Sequence, residues 1–325
     1  MTEQMHQIHQ IVAKGIDNRD IFGASYSLIF PDEIESRYEG FQGEQELANP
    51  LDPSMIYDLG ALTEVVATTT RIFQLLAVRE VDLKDPVAKY LPGFKNQDIT
   101  ISNLLTNTSG LPVEIDHFNH YTGVEFINAL YNAKLDFEPG EKVQRSPLNS
   151  VLLGIIIRII NGSIDRSVQD HILYPLAMTN TGFNLNRPKI RFVPTRIDDK
   201  RGLIQGQVEN KLGLLLNGES GYTGLFSTLS DLTAFMEMML NEGKYQEKEV
   251  LDPQVFEMLA AININGQTMG WQRFEENTNV YYAHSATGVL AFNTKSKQGL
   301  IVLHNFIEDQ KRRHEMVHKF LQVIK

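Results

Sequence analysis

The spacing of apolar residues changes along the chain, from strand-like alternation near both ends to helical periodicity between them. Residues 5–16 have apolar positions at helical spacing, and residues 24–30 and 35–41 are predicted to form paired strands joined by a Pro-Asp turn. Four more segments have strand character, at residues 269–274, 280–284, 289–293 and 300–305. A final helix is predicted from about Asp309 to Lys325.

Longer helical patterns occupy the middle of the chain. An apolar stripe recurs at helical spacing between residues 61 and 78, and residues 149–160 are almost entirely apolar, which indicates a buried helix that ends at Gly162. Ser227 is predicted to cap a helix over residues 232–240. Shorter helices are expected at residues 100–105 and 126–133.

This order of elements predicts a mixed α/β (α+β) fold. We expect one antiparallel sheet, formed by the amino- and carboxy-terminal segments and flanked by helices, with a large, mostly helical inserted domain. The predicted boundaries place residues 1–80 and 266–325 in the sheet domain and residues 81–265 in the helical domain. A cleft is expected between the two.

Composition excludes several classes of function. The chain has 325 residues and a formal charge of −10, which disfavours binding to nucleic-acid backbones. It has no cysteine, so disulfides, thiolate ligands and thiol nucleophiles are excluded. The polar amino-terminal segment lacks a secretory signal, and the longest apolar stretch, residues 151–160, is far shorter than a membrane span. We therefore expect a cytoplasmic protein without a membrane span.

Six sequence strings follow one another over most of the chain. They are YDLGALTEVVATTT (57–70), VDLKDPVAKYLPGF (81–94), ISNLLTNTSGLP (101–112), FEPGEKV (137–143), YPLAMTNTGF (174–183) and GLFSTLSDLTAFMEMMLNEG (224–243). In this order they resemble the serine β-lactamase and penicillin-binding protein superfamily, in its branch of class C β-lactamases, D-alanyl carboxypeptidases and esterases. The resemblance implies a β-lactamase/transpeptidase-like fold.

Active members of that superfamily carry an S-x-x-K motif, whose serine attacks a carbonyl while the lysine helps to take its proton. The matching residues here are Ala61 and Glu64. Alanine has no nucleophilic atom, and glutamate reverses the charge of the lysine. Losing a nucleophile or its base costs on the order of 10⁶ in kcat in serine hydrolases.

The other two motifs of the superfamily are also altered. Y-x-N, which supplies a proton-shuttling tyrosine and a substrate-binding amide, is matched by Arg145, Ser146 and Pro147. K-T-G or H-x-G is matched by His284, Ser285 and Ala286, and the following Thr287-Gly288 is one residue shorter than the usual pattern. No catalytic set is intact, so the resemblance implies a vestigial site at Ala61, Glu64, Arg145, Ser146, His284 and Ser285.

The function expected from this site is a non-catalytic binding or regulatory one, in a pseudoenzyme. Glu64 and Arg145 are expected to form an ion pair across the old catalytic centre; if that pair is buried, removing one partner costs ~3–5 kcal/mol. The backbone N–H groups of Ala61 and Thr287 are the candidate oxyanion donors. Expected partners are a small acyl-peptide-like ligand or another protein, with no nucleic acid and no cofactor.

Three alternatives remain open at the level of sequence. A weak or unusual serine hydrolase would use another hydroxyl, with Ser146 and His284 as the candidate pair, while Ser285 is expected to point away from His284 along a strand. A protein–protein interaction module would use an exposed apolar patch. A zinc enzyme is suggested by His314-Glu315-Met316-Val317-His318, an H-E-x-x-H string, but the final helix is expected to pack away from the cleft, so we predict no metal site. His117 and His120 are weaker candidates for ligand contact, in a loop expected to border the cleft.

Overall fold

The longest described strands of the protein lie towards the two ends of the chain. The computed structural model describes residues 1–44, 49–307 and 309–324. The strands are β1 (Gly23–Ile29), β2 (Ile34–Gly40), β3 (Ile56–Asp58), β4 (Gly182–Phe183), β5 (Ile197–Asp198), β6 (Gly202–Leu203), β7 (Leu225–Thr228), β8 (Lys244–Tyr245), β9 (Lys248–Glu249), β10 (Gln272–Phe274), β11 (Asn277–His284), β12 (Gly288–Asn293) and β13 (Gln298–His304).

Helices lie between these ends and also flank them. They are α1 (Glu3–Asp17), α2 (Thr70–Ala77), α3 (Ile101–Leu105), α4 (Gly123–Tyr131), α5 (Pro147–Asn161), α6 (Ile164–Val168), α7 (Lys211–Leu215), α8 (Leu229–Leu240), α9 (Gln254–Ala261) and α10 (Gln310–Leu321). Short 3₁₀ turns cover Gly60–Leu62, Val87–Lys89, Phe118–His120 and Lys189–Arg191, and π-helical turns cover Glu64–Thr69 and Gln169–Leu173.

The main sheet joins the two ends of the chain, as the sequence predicts. Its six strands lie in the order β10-β11-β12-β13-β1-β2, and every neighbouring pair is antiparallel. At the junction, Tyr26 of β1 pairs with Val302 of β13. This arrangement confirms the predicted mixed fold with one antiparallel sheet built from both termini.

Both faces of this sheet are buried by packing against other parts of the protein. Because successive side chains of a strand point to opposite sides, neighbouring residues of one strand belong to different clusters. On one face, Leu300 and Val302 of β13 pack in a cluster with residues of α1 and α10. On the other face, Ile301 and Leu303 belong to the larger cluster that continues into α8 and α5. Helix α8 lies within residues 81–265 but packs against β1, β12 and β13 of the main sheet. The predicted division of the chain into two domains stays a prediction.

Local sequence signals explain where the main helices begin and end. In α5, the Ser146 hydroxyl accepts a hydrogen bond from the Leu148 N–H, Pro147 occupies the first turn, and Gly162 ends the helix at φ +85°. In α8 the prediction of Ser227 as the cap is wrong. Thr228 accepts from the Asp231 N–H instead, because the chain remains in β7 through Thr228.

The predicted helix over residues 61–78 is divided into three helical forms. A 3₁₀ turn at Gly60–Leu62 is followed by a π-helical turn at Glu64–Thr69 and then by α2. At the end of the π-helical turn, the side-chain hydroxyl of Thr70 donates a hydrogen bond to the backbone carbonyl of Val65, five residues earlier, at 2.7 Å. Such departures from α-helical geometry are frequent at functional sites.

Within the described residues, no single helix has the length and apolarity needed to cross a membrane. The helices Pro147–Asn161 and Ile164–Leu173 reach that length and composition only together, and they are bent by 81°.

Candidate functional site

A cavity of about 870 Å³ lies between the start of α5, the 3₁₀ turn at Gly60–Leu62, the β11–β12 turn and α10. Most of the residues singled out by the sequence line it, including Ala61, Glu64, Arg145, Ser146, His284, Ser285 and Thr287. The tertiary structure therefore brings together segments that are far apart in the sequence.

Asp58 fixes the turn that carries Ala61. Its two carboxylate oxygens accept hydrogen bonds at 2.9 Å from the backbone N–H groups of Gly60 and Glu209. Gly60 needs its freedom here because its φ is +52°. Burial raises the pKa of the Asp58 carboxyl to about 6, even though both hydrogen bonds act in the opposite direction.

Glu64 places a buried carboxyl at the cavity, at the start of the π-helical turn. Burial raises its pKa above the usual range of glutamate, while the positive charge of Arg145 and a hydrogen bond with Ser150 lower it. Glu64 therefore adds a second carboxyl with a raised pKa, after that of Asp58, beside the methyl group of Ala61. Neither the methyl group of Ala61 nor the carboxyl of Glu64 is a nucleophile of the serine-hydrolase kind.

The predicted ion pair between Glu64 and Arg145 is not formed at contact distance. Both residues are described, yet no salt bridge within 4.0 Å joins them. Arg145 is exposed to solvent and donates from Nη1 to the Gln272 side-chain oxygen at 3.2 Å. The guanidinium keeps its hydration at the cavity wall, which avoids the desolvation cost of burial beside Glu64.

Ser146 acts as a helix cap in this structure. Its hydroxyl donates to the Pro112 carbonyl at 2.6 Å and accepts from the Leu148 N–H at 3.2 Å. The predicted pairing of Ser146 with His284 is therefore not formed, because the hydroxyl proton is already committed to a backbone carbonyl. Among the described residues, His284 Nδ1 has no hydrogen-bond partner at all.

The β11–β12 turn is locked onto the turn that carries Ala61. The Ser285 hydroxyl accepts from the Thr287 N–H at 3.1 Å, and the Thr287 hydroxyl donates to the Asp58 carbonyl at 2.7 Å. Since the Thr287 N–H is used in this way, Thr287 is not a free oxyanion donor, contrary to the prediction. The side chains of Ser285 and His284 have different neighbours: the His284 ring stacks on Tyr282 and meets His314, whereas the Ser285 hydroxyl lies beside Gly60 and bonds to Thr287. The expectation that Ser285 points away from His284 is therefore not contradicted, although β11 ends at His284.

Helix α10 lines the same cavity, whereas the sequence predicted that it would pack away from the cleft. Arg313 and His314 of this helix face the cavity, and the His314 ring meets the His284 ring edge to face at a centroid distance of 5.3 Å. Burial, and then the positive charge of Arg145, lower the pKa of His284 to about 3. Its imidazole is therefore neutral near neutral pH.

With this geometry established, comparison with known proteins identifies the family. The profile of the Beta-lactamase family matches residues 8–316. This protein belongs to the beta-lactamase family.

Relatives and structural neighbours of this beta-lactamase family member agree with that assignment. A relative from Escherichia coli (strain K12), whose name assigns it provisionally as a D-alanyl-D-alanine carboxypeptidase, is 28% identical over 67% of this chain and 58% of its own length. The chain thus spans about three fifths of the length of the curated relatives it matches.

Two solved structures show that the fold is shared at low sequence identity. EstCE1, described as a hydrolase with promiscuous acyltransferase activity, superposes with a TM-score of 0.82 at 15% identity, covering 99% of this chain and 98% of the other. A class C beta-lactamase in complex with cefoxitin superposes with a TM-score of 0.80 at 15% identity, covering 99% of both chains. The predicted β-lactamase/transpeptidase-like fold is confirmed.

The H-E-x-x-H string of this family member does not gather a metal site. His318 Nε2 forms a 2.9 Å ion pair with Glu276, while His314 faces His284. Within the described residues, no group of three or more His, Asp or Glu side chains is arranged to hold a metal ion. His117 and His120 are exposed outside the cavity.

Sequence reasoning missed several cavity residues of this beta-lactamase family member, namely Tyr222, Thr223, Gln272 and Arg313. They come from a loop, a strand edge and a helix that have no shared motif. The only sequence signal near them was the spacing of His314 and His318, which places both on one face of α10.

Proposed function

We propose that this beta-lactamase family member binds a small acyl-peptide-like ligand in its cavity without turning it over. The observation that carries the proposal is the pair of side chains at residues 61 and 64. A methyl group and a buried carboxyl line the cavity where the sequence resemblance places a nucleophile and its amine base. Relatives named as carboxypeptidases support the class of ligand, since a cleft of related shape would accept an acyl peptide.

The cavity hydroxyls nearest to these positions also support a non-catalytic role. Ser146 donates to the Pro112 carbonyl, Thr287 donates to the Asp58 carbonyl, and Ser285 is bonded to Thr287. Activation of a hydroxyl requires a base within hydrogen-bond reach, and none of these three is bonded to His284. The competing proposal of an unusual serine hydrolase has no assembled nucleophile–base pair among them.

Two measurements test this proposal. Thermal shift with N-acetyl-D-alanyl-D-alanine is expected to raise Tm, because a ligand that binds only the native state stabilises it. Incubation with penicillin or a fluorophosphonate, followed by intact mass measurement, is expected to leave the protein mass unchanged. A covalent adduct on any cavity hydroxyl, or turnover of nitrocefin or a p-nitrophenyl ester above background, contradicts the proposal.

A restoration experiment separates lost chemistry from a lost scaffold. The triple substitution Ala61→Ser, Glu64→Lys and Arg145→Tyr is expected to yield at most weak esterase activity, because the third motif remains shortened. Full activity in this variant would show that the first two motifs alone account for inactivity. Turnover by the unmodified protein in the same assay would remove the premise.

A protein partner is the second candidate, and one exposed hairpin favours it. Ile197 of β5 pairs directly with Leu203 of β6, and these side chains are 77% and 50% exposed. Arg201 ties the hairpin to the cavity wall by donating to the Glu209 carbonyl at 2.6 Å. Light scattering after size exclusion tests self-association, and a monomer at all concentrations would argue against a dimer through this hairpin.

A further inference from the structure

The main sheet has two edge strands, and they differ in how they end the sheet. At one edge, β10 is three residues long, and its register with β11 shifts between Arg273 and Phe274 as at a β-bulge. Short strands and bulges keep an edge from pairing with another chain. At the other edge, β2 is seven residues long, contains no proline and pairs with β1 in one continuous register from Ile34 to Gly40. β2 is therefore a regular edge that can accept a further strand.

The backbone of β2 presents unused hydrogen-bonding groups at alternate residues. At the β1–β2 turn, the Phe30 N–H donates to the Glu33 carbonyl at 2.8 Å. Because bonded pairs alternate along an antiparallel ladder, every second residue from Glu33 onward is bonded to β1. The N–H and C=O groups of Ile34, Ser36 and Tyr38 consequently point outward. In the part of the chain that the structure describes, these outward groups have no hydrogen-bond partner.

The free edge, defined as residues 34–38, is limited at one end by the chain itself. The Leu51 N–H donates to the Gly40 carbonyl at 3.1 Å, which covers the edge beyond residue 38. Before that point the side chains of Ile34, Ser36 and Arg37 are exposed. Ile34 is 43% exposed, although it is a large apolar residue. The free edge is thus open to solvent over the length of a short strand.

The side chains of the free edge are complementary to those of a second copy in one antiparallel register. When Ser36 pairs with Ser36 of the second copy, Ile34 lies opposite Tyr38 and Glu35 lies opposite Arg37. Each of these two pairings occurs twice because the arrangement has two-fold symmetry. Opposite charges, and aromatic residues opposite β-branched ones, are favourable cross-strand pairs.

The neighbouring registers are unfavourable, so the charges select a single pairing. The registers that also match the outward backbone groups are centred on Glu35 or on Arg37, and they place like charges opposite each other. In the described chain Arg37 has no salt bridge within 4.0 Å, which leaves its charge for a partner. Glu35 accepts from the Thr2 N–H at 3.0 Å, and this bond holds its carboxylate on the same face as Arg37.

We propose that this protein forms a homodimer in which β2 pairs with β2 of a second copy, centred on Ser36. The two six-stranded sheets then become one continuous sheet. The pairing supplies about six main-chain hydrogen bonds along with the two Glu35–Arg37 pairs. β11, which carries His284, lies four strands from β2, a distance of about 19 Å across the sheet. The interface therefore leaves the cavity open, and the proposal is independent of ligand binding.

Sedimentation equilibrium of the full chain over a wide range of protein concentration tests the proposal first. We expect a reversible monomer–dimer equilibrium. Hydrogen exchange, followed by mass spectrometry, is expected to slow within residues 34–38 as the dimer forms, because the outward N–H groups become bonded. Exchange within the β5–β6 hairpin, the other exposed apolar surface, is expected to stay unchanged.

Two charge variants test the register. Arg37→Glu and Glu35→Arg each place like charges opposite each other at both positions, and each is expected to weaken dimerisation at least tenfold. An equimolar mixture of the two variants restores opposite charges at both positions and is expected to dimerise about as tightly as wild type. Lys134→Glu, a charge reversal at an exposed residue outside the sheet, is the control and should stay within about twofold.

A backbone variant tests the hydrogen bonds. Ser36→Pro removes an outward N–H without removing a β1–β2 backbone bond, and it is expected to weaken dimerisation at least tenfold. Ile197→Asp, in the β5–β6 hairpin, is expected to leave dimerisation unchanged. Circular dichroism melts verify that each variant is folded, and the charge variants decide the matter if Ser36→Pro is not.

Each contrary result overturns the proposal. A wild-type protein that stays monomeric up to about 1 mM has no specific association of this kind. A dimer that persists in both charge variants, or that Ile197→Asp dissociates, uses another surface. Variants that each fail to dimerise and do not associate when mixed contradict the register centred on Ser36.

Discussion

His284 on β11 and His314 on α10 meet edge to face, with ring centroids 5.3 Å apart, and this contact joins the sheet to the last helix at the cavity. The two histidines are 30 residues apart in the sequence, which is the difference between their numbers. Their contact explains why α10 belongs to the site and why the cavity has a wall rich in nitrogen donors.

Acid is expected to destabilise the protein through His284. The unfolded histidine gains a proton near pH 6.5, whereas the folded pKa is about 3, so stability falls as pH decreases through that interval. Buried His304, with a pKa of about 4, acts in the same direction. Free energies of unfolding, measured by urea between pH 3 and 8, should show His284→Gln gaining stability over wild type as the pH falls.

The exposed His120→Gln serves as the control for loss of a histidine outside the cavity. A His284→Gln curve that runs parallel to that of wild type would mean that the pKa of His284 is the same in the folded and unfolded states.

Asp58 is expected to have the opposite pH dependence. Its carboxyl has a folded pKa of about 6 and an ordinary value of 3.8, so the unfolded chain releases the proton first and stability falls as pH rises between these values. A shift of this size corresponds to about 3 kcal/mol. Asp58→Asn should remove this slope, as measured by urea unfolding at pH 3.5, 5 and 7.

Asn at residue 58 retains one acceptor oxygen for the Gly60 and Glu209 N–H groups, so some loss of stability at all pH values is expected as well. The test is the slope and not the offset. An unchanged slope in Asp58→Asn would assign the titration to another carboxyl.

Glu64 and Arg145 are expected to couple weakly. Glu64→Gln should raise the free energy of unfolding at pH 7 because burial penalises its carboxylate, and the gain should vanish below pH 4.5. In a double-mutant cycle with Arg145→Gln, the coupling energy is expected to stay below ~1 kcal/mol, since the guanidinium is exposed and makes no ion pair with Glu64. A coupling of ~3 kcal/mol or more would establish the buried pair that the sequence predicted.

Gly154 is expected to be essential for the packing of α5. A Cβ at this position would lie 2.7 Å from both the Cα and the backbone N of Gly221, so Gly154→Ala forces the two backbones apart. We expect a loss of ~1–3 kcal/mol by overpacking, in spite of the higher helix propensity of alanine. Chemical denaturation measures it.

The control for this substitution lies on the same helix. Ile159 is 60% exposed, and Ile159→Ala should change the free energy of unfolding by less than ~0.5 kcal/mol. A Gly154→Ala protein as stable as wild type would show that the Gly221 segment yields without cost.

The family and the order of the elements could be predicted because they depend on local patterns. Apolar spacing is a property of each segment, so it located the strands of the main sheet and the buried helix α5. The positions of Ala61 and Glu64 followed from motif strings that need no tertiary information. The cap of α8 was misplaced by one residue, at Ser227 and not Thr228, because both residues have hydroxyl side chains and only the length of β7 separates them.

The sequence by itself determined the sheet built from both ends, the family and the side chains that line much of the cavity. Only the tertiary structure decided what those side chains do. Ser146 became a cap because its hydroxyl meets the Pro112 carbonyl, and Arg145 stayed in solvent beside Gln272. Hydrogen-bond partners and desolvation depend on atoms brought together from distant segments, and no local pattern encodes that proximity.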